Sequence, residues 1–181
     1  MPRVTKIDNK SIANKVFLRR KATEHLNELR VLDLFAGNNV LWHNFDKARY
    51  YGVELLPDKG KNLNADARQV VDSLDLSDFN VIDCDSYTIP FEICRKIIEH
   101  PKVKSGTTVL YTVITSIFTR LPNACLDELG IRDMYNIAPS MFNLNGATYF
   151  YDMLGNLGVK EIYYYENLAG FTKHYGYFVI P

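Results

Sequence analysis

The chain of 181 residues carries 21 Lys plus Arg against 21 Asp plus Glu, and 47% of it is hydrophobic. A chain of that length buries roughly 70% of its extended surface in one domain, so it needs no disulfide or metal staple, and the composition excludes disorder. The balanced charge excludes a strong overall field for nucleic acid, no apolar run can span a bilayer, and Met1-Pro2-Arg3-Val4 opens no signal-peptide pattern.

Ser11 to Leu29 reads as an amphipathic helix, with Ile12, Val16, Ala22, Leu26 and Leu29 at helical spacing. Lys15, Arg19, Arg20 and Lys21 make it basic, and residues 1–30 hold eight cations against three carboxylates, so the remainder is acidic by the same margin. Those cations suit either a solvated helix face or a surface that faces phosphates. Residues 1–29 are thus a basic helical segment and residues 30–181 the core of a single domain. Arg30 to Phe35 is a buried strand closed by Ala36-Gly37-Asn38-Asn39, and Val40 to Phe45 suits a helical turn or short helix. Strands follow at Tyr50–Glu54, near Lys61–Asn64, at Asn80–Asp85 and at Thr107–Val113, with a helix from about Pro90 to His100. The segment Arg120–Asn145, which holds Arg120, Asn123, Arg132 and Tyr135, is weakly patterned. A helix at Gly146–Asn156 precedes strands at Val159–Tyr165 and Lys173–Ile180. The loop between these last two is too short for a parallel crossover, so they form an antiparallel pair. The expected architecture is α/β: a doubly wound, Rossmann-like seven-stranded sheet, parallel except for its final hairpin.

Cys84, Cys94 and Cys125 form no CxxC and leave one thiol over in any pairing, which points to a reducing, cytoplasmic setting. The four histidines are scattered, and no metal site is expected.

Ligands of open α/β sheets sit at the carboxyl ends of the strands. Those ends here are Asp33-Leu34-Phe35-Ala36-Gly37-Asn38-Asn39, then Glu54, then Asn64-Ala65-Asp66-Ala67, then Asp83-Cys84-Asp85-Ser86-Tyr87. A nicotinamide dinucleotide requires G-x-G-x-x-G for close approach to its diphosphate, and Gly37 is the one glycine of this turn. S-adenosylmethionine (SAM) has a ribose, which Glu54 is placed to bind, and no phosphate. It fits the pattern better.

Val31-Leu32-Asp33-Leu34-Phe35-Ala36-Gly37, Tyr51-Gly52-Val53-Glu54 and Ala65-Asp66-Ala67 resemble the first three motifs of class I SAM-dependent methyltransferases. The resemblance implies that Asp33, Phe35, Ala36, Gly37, Asn38 and Asn39 line the methionine part of SAM. Glu54 would hold the ribose, Asp66 and Ala67 the adenine edge, and Asp83 would join the cofactor contacts. Asn38-Asn39 stands where relatives place a second glycine. The segment from Phe79 to Pro90 resembles the Asp-x-Asp-Pro-Tyr-Gly-Ser-Pro motif of tRNA guanine-N2 dimethyltransferases and, more distantly, the Asp-Pro-Pro-Tyr loop of enzymes that methylate exocyclic amines. Asp83, Asp85, Tyr87 and Pro90 match, and Ser86 replaces a proline. This implies Asp85 and Tyr87 as catalytic residues acting on an exocyclic amino nitrogen of a nucleobase in RNA or DNA, reached through the basic helix. A small-molecule or protein acceptor, and a SAM-binding module without catalysis, are the alternatives.

Overall fold

Runs such as Thr108-Val-Leu-Tyr-Thr-Val and Tyr175-Gly-Tyr-Phe-Val are rich in β-branched and aromatic residues, which favour a pleated, half-buried ribbon. The computed structural model describes residues 12–45, 48–56, 63–116, 118–167 and 172–181. Its strands are β1 (Leu29–Asp33), β2 (Ala48–Glu54), β3 (Leu63–Asn64), β4 (Val81–Cys84), β5 (Thr108–Thr115), β6 (Ile162–Asn167) and β7 (Thr172–Val179). The helices are α1 (Ile12–Thr23), α2 (Ala67–Ser73), α3 (Phe91–Glu99), α4 (Asn123–Glu128), α5 (Arg132–Ile137), α6 (Pro139–Asn143) and α7 (Gly146–Asn156).

One seven-stranded sheet runs in the order β3-β2-β1-β4-β5-β7-β6. β3, β2, β1, β4 and β5 are parallel, and β7 is antiparallel to both β5 and β6. The chain reverses its direction of travel across the sheet between β1 and β4, where Asp33 lies beside Asp83 in register. That switch point opens a crevice at the carboxyl edge. Successive strand residues point to opposite faces. Leu32, Ile82 and Val109 therefore join α2, α3, α4 and α7 in the larger core, while Val31, Val81 and Leu110 meet α1, Trp42 and Phe45 on the other face.

Several boundaries differ from the sequence reading. α1 stops at Thr23, not Leu29: Leu26 N–H bonds Thr23 O in a turn, and Leu29 is already paired with Ala48. Nor is α1 amphipathic as expected, since Arg19 is 3% exposed and Phe17 is 70% exposed. Residues 40–45 form successive turns, one of the two forms expected there, closed by Asn39 N–H to Ala36 O and Phe45 N–H to Trp42 O. The third strand pairs at Leu63–Asn64, and the expected positions 61 and 62 lie outside the described residues. β6 starts at Ile162 instead of Val159. No helix among the described residues is long and apolar enough to cross a membrane.

Candidate functional site

The carboxyl end of β1 is held by its neighbours on both sides. Leu34 N–H bonds Asp83 O at 2.9 Å and Ala36 N–H bonds Val53 O at 3.0 Å. The chain then turns back on itself, with Gly37 at φ 52° and Asn39 at φ 60°. Asparagine is one of the few side chains that adopt the left-handed region readily, so Asn39 supplies a conformation that a second glycine would otherwise supply. Glu54 bridges this turn to the loop after β2: Gly37 N–H donates to Oε2 at 2.9 Å and Leu56 N–H to Oε1 at 3.1 Å. Nothing lies within 4 Å of where a Cβ on Gly37 would stand, so space is open above the turn. Asp66 caps α2 by accepting from Arg68 N–H at 2.8 Å, and its ion pair with the Arg68 guanidinium holds its carboxyl down at about 2. Ala67 is buried in the first turn of that helix.

At the switch point three carboxylates meet two cations. Asp83 Oδ2 accepts from Arg19 Nε at 2.8 Å and from Trp42 Nε1 at 2.7 Å, with Arg19 Nη2 also 2.7 Å away. Lys15 Nζ donates to both oxygens of Asp85, at 2.7 and 2.6 Å, and Thr112 Oγ1 donates to Oδ1. Lys15 and Arg19 are one helical turn apart, so α1 presents both from a single face. Arg19 Nη1 also bonds Lys15 O at 3.1 Å.

Three acids and two bases leave one negative charge too many for a buried cluster, and Asp33 resolves it. Burial first, then the charge of Asp83, pushes its carboxyl up to about 8, so near neutrality it holds a proton. Tyr50 Oη donates to Asp33 Oδ2 at 2.9 Å and also meets Asn39 Oδ1, and its bond to Asp33 opposes that upward shift without cancelling it. Burial also raises Asp83, against the opposing pull of Arg19. Burial of Asp85 is outweighed by Arg19 and Lys15, and its carboxyl is lowered.

Ser86 braces the loop after β4 by hydrogen bonding, with its N–H on Cys84 O at 2.8 Å and Oγ on Thr88 O at 3.1 Å. Tyr87 projects beyond it, 64% exposed. Phe35 packs against the larger core, and Ala36 is buried. Arg120, Asn123, Arg132 and Tyr135 meet in a separate cleft. The structure thus gathers Asp33, Asp83 and Asp85 at one crevice, with Glu54 beside the Gly37 turn, while Asp66 caps α2.

Sequence reasoning overlooked Lys15 and Arg19 as members of this crevice. Two cations one turn apart, in a basic segment that precedes an acidic remainder with Asp at its strand ends, were the available signal. Trp42, Tyr50 and Thr112 left none, because hydrogen bonds from buried aromatic and hydroxyl groups have no sequence period.

No protein-family model and no curated protein matches the chain. Solved structures match in shape. A SAM-dependent methyltransferase from Archaeoglobus fulgidus superposes with a TM-score of 0.58 at 15% identity, over 92% of this chain and 93% of that one. The N-methyltransferase NodS from Bradyrhizobium japonicum WM9 gives 0.55 at 10% identity, over 96% and 98%. Phosphoethanolamine N-methyltransferase 2 from Haemonchus contortus, solved with SAM, gives 0.57 at 10% identity, over 93% of this chain and 52% of that one. The chain has the Rossmann-like fold of these methyltransferases, antiparallel hairpin included.

Proposed function

We propose that the protein binds SAM and transfers its methyl group to an amine, with an exocyclic amino nitrogen of a nucleobase as the acceptor. The observation that carries this reading is Asp85. At the carboxyl end of β4 its carboxylate already grips a nitrogen cation through both oxygens, with Thr112 fixing its orientation. The residues around it suit the cofactor. Glu54 stands beside open space above Gly37, where ribose hydroxyls can take its remaining lone pairs. Asp83 Oδ1 is buried with no hydrogen-bond partner among the described residues, an acceptor suited to a cationic amino group.

When bound, the cofactor supplies an activated methyl on a sulfonium. Asp85 accepts an N–H bond from the acceptor, directs the nitrogen lone pair, and offsets the positive charge that develops there. For that to happen the acceptor nitrogen displaces Lys15 from Asp85. Tyr87, exposed at the rim, offers a ring for base stacking, worth about 1–3 kcal/mol per base. Contact with RNA or DNA falls to Arg20 and Lys21, because Lys15 and Arg19 face inward. A binding module without catalysis is the second reading, favoured by Lys15 closing both oxygens of Asp85.

Calorimetry with SAM and with S-adenosylhomocysteine tests the first step. Glu54→Ala should weaken either ligand by about 1.5–3 kcal/mol. Asp85→Asn should lower turnover by about two orders of magnitude while leaving SAM affinity nearly unchanged. SAM binding with no turnover on nucleosides, oligonucleotides or small amines would select the second reading, and no SAM binding would end both.

A further inference from the structure

Between β5 and α7 the chain builds α4, α5 and α6 around a cleft of about 320 Å³, a size typical of small-ligand sites. Arg120, Leu121, Asn123, Arg132, Tyr135 and Asn136 line it. The cleft adjoins the loop that carries Asp85 and Tyr87. Leu121 Cδ2 and Thr115 Cγ2 would lie 3.2 and 3.3 Å from a Cβ on Gly146, with Ile89 Cδ1 closer still, so these three side chains converge on that glycine.

The polar groups of the cleft fall into two sets. One set is fixed. Tyr135 Oη accepts from Leu121 N–H at 3.1 Å and donates to Asn143 Oδ1 at 2.8 Å, which ties α5 to the 120–123 loop. Arg132 Nε donates to Asp127 Oδ1 at 2.8 Å and Nη1 to Asn123 Oδ1 at 3.3 Å, so its guanidinium is held in one plane. The other set is uncommitted. Arg120 and the side-chain amide of Asn136 make no hydrogen bond or ion pair with a described residue, and Asp127, the acid nearest in the fold to Arg132, is already engaged there. A free arginine and a free amide donor around one concavity, beside an arginine whose charge Asp127 already offsets, form a receptor for an oxyanion.

We infer that this cleft binds a phosphate or carboxylate group, and that the methyl acceptor carries it. The assignment to an acceptor rests on the methyltransferase reading; the anion site does not. Ile89 ends the loop that carries Asp85 and Tyr87, so an acceptor whose oxyanion seats on Arg120 and Asn136 lies next to that loop, which makes Arg120 a specificity-determining residue.

The test titrates inorganic phosphate and, separately, acetate into the full-length protein, followed by amide resonances of Leu121, Asn136 and Gly130. SAM is titrated in parallel, followed at Gly37 and Glu54. Saturable shifts at the cleft with either anion, at least about tenfold weaker in Arg120→Gln and partly restored in Arg120→Lys, support the site. The tighter of the two anions identifies the group. Arg120 is exposed, and the spectrum of each variant reports directly whether it folds. No saturable shift with either anion, or equal affinity in Arg120→Gln, overturns the inference. Anion binding without SAM binding removes the acceptor assignment and the proposed function together, while SAM binding without anion binding removes the inference alone.

Discussion

Leu32, Ile82 and Val109 look into a core closed by α2, α3, α4 and α7, whereas Val31, Val81 and Leu110, one residue away on the same strands, face α1 and the turns around Trp42. The first face is closed by apolar side chains such as Phe150, Ile97 and Leu154, all fully buried. The second is closed at the carboxyl edge by ionic contacts, with Arg19 and Asp83 both buried. Apolar burial is forgiving of small shifts, and a buried ion pair is not, because each partner left alone is an uncompensated charge. The helical face therefore carries stability and the α1 face carries a conditional, charge-dependent closure.

The largest expected effect tests that contrast directly. Arg19→Ala should cost about 3–5 kcal/mol in urea unfolding, as should Phe150→Ala. The two should then part company. Adding Asp83→Leu to Arg19→Met should recover much of the loss, since an apolar pair can replace a buried ion pair. No second substitution beside Phe150→Ala should do so unless it refills the cavity. If Arg19→Ala is nearly neutral, the ionic closure contributes nothing and the comparison fails.

Next comes pH. The Asp33 carboxyl lies near 8 in the folded chain and near 4 unfolded, so between these values the folded state binds the extra proton. Stability from this group is fully present below about pH 4 and is lost as pH rises toward 8, at up to about 1.4 kcal/mol per pH unit. Asp33→Asn should flatten that slope in unfolding curves measured from pH 5 to 8. Asp85 acts in the opposite sense: its lowered carboxyl contributes above the ordinary carboxylate range and is lost as pH falls.

Lys15→Met should cost less, about 1–3 kcal/mol, because the pair it breaks is partly open to water. Its sharper readout is Asp85, whose carboxyl should titrate at higher pH by carbon NMR once that cation is gone. At the small end, Lys21→Gln should leave the unfolding midpoint unchanged, since Lys21 and Glu24 are both exposed.

The sheet was largely legible because its strands are dense in β-branched residues and because the short connection before the last strand forbids a parallel crossover. α7 was legible from end to end, and α3 to within a residue. α4, α5 and α6 were not: each spans five or six residues, none has a side-chain cap, and Pro122 and Pro139 interrupt any helical period. In the crevice, the acids were visible because strand ends can be located. The cations that face them were misjudged, since a helix read by apolar spacing assigns its charges to solvent. Burial of Arg19 depends on Asp83, 64 residues away, and no local window holds both.

The docking of α1 has a kinetic side as well. Lys15 lies over the ring of Tyr175, 5.2 Å from its centroid, and Leu18 shares a cluster with Tyr177, so the first described helix rests on the last strand. During synthesis from the amino terminus, α1 emerges long before β7 exists, so its contacts with Tyr175 and Tyr177 are completed only when the sheet is nearly whole. Contacts of such sequence separation form late, after loop closure has been achieved by nearer pairs. A domain deprived of β7 would keep Asp83 and Asp85 without part of the platform on which their cations rest.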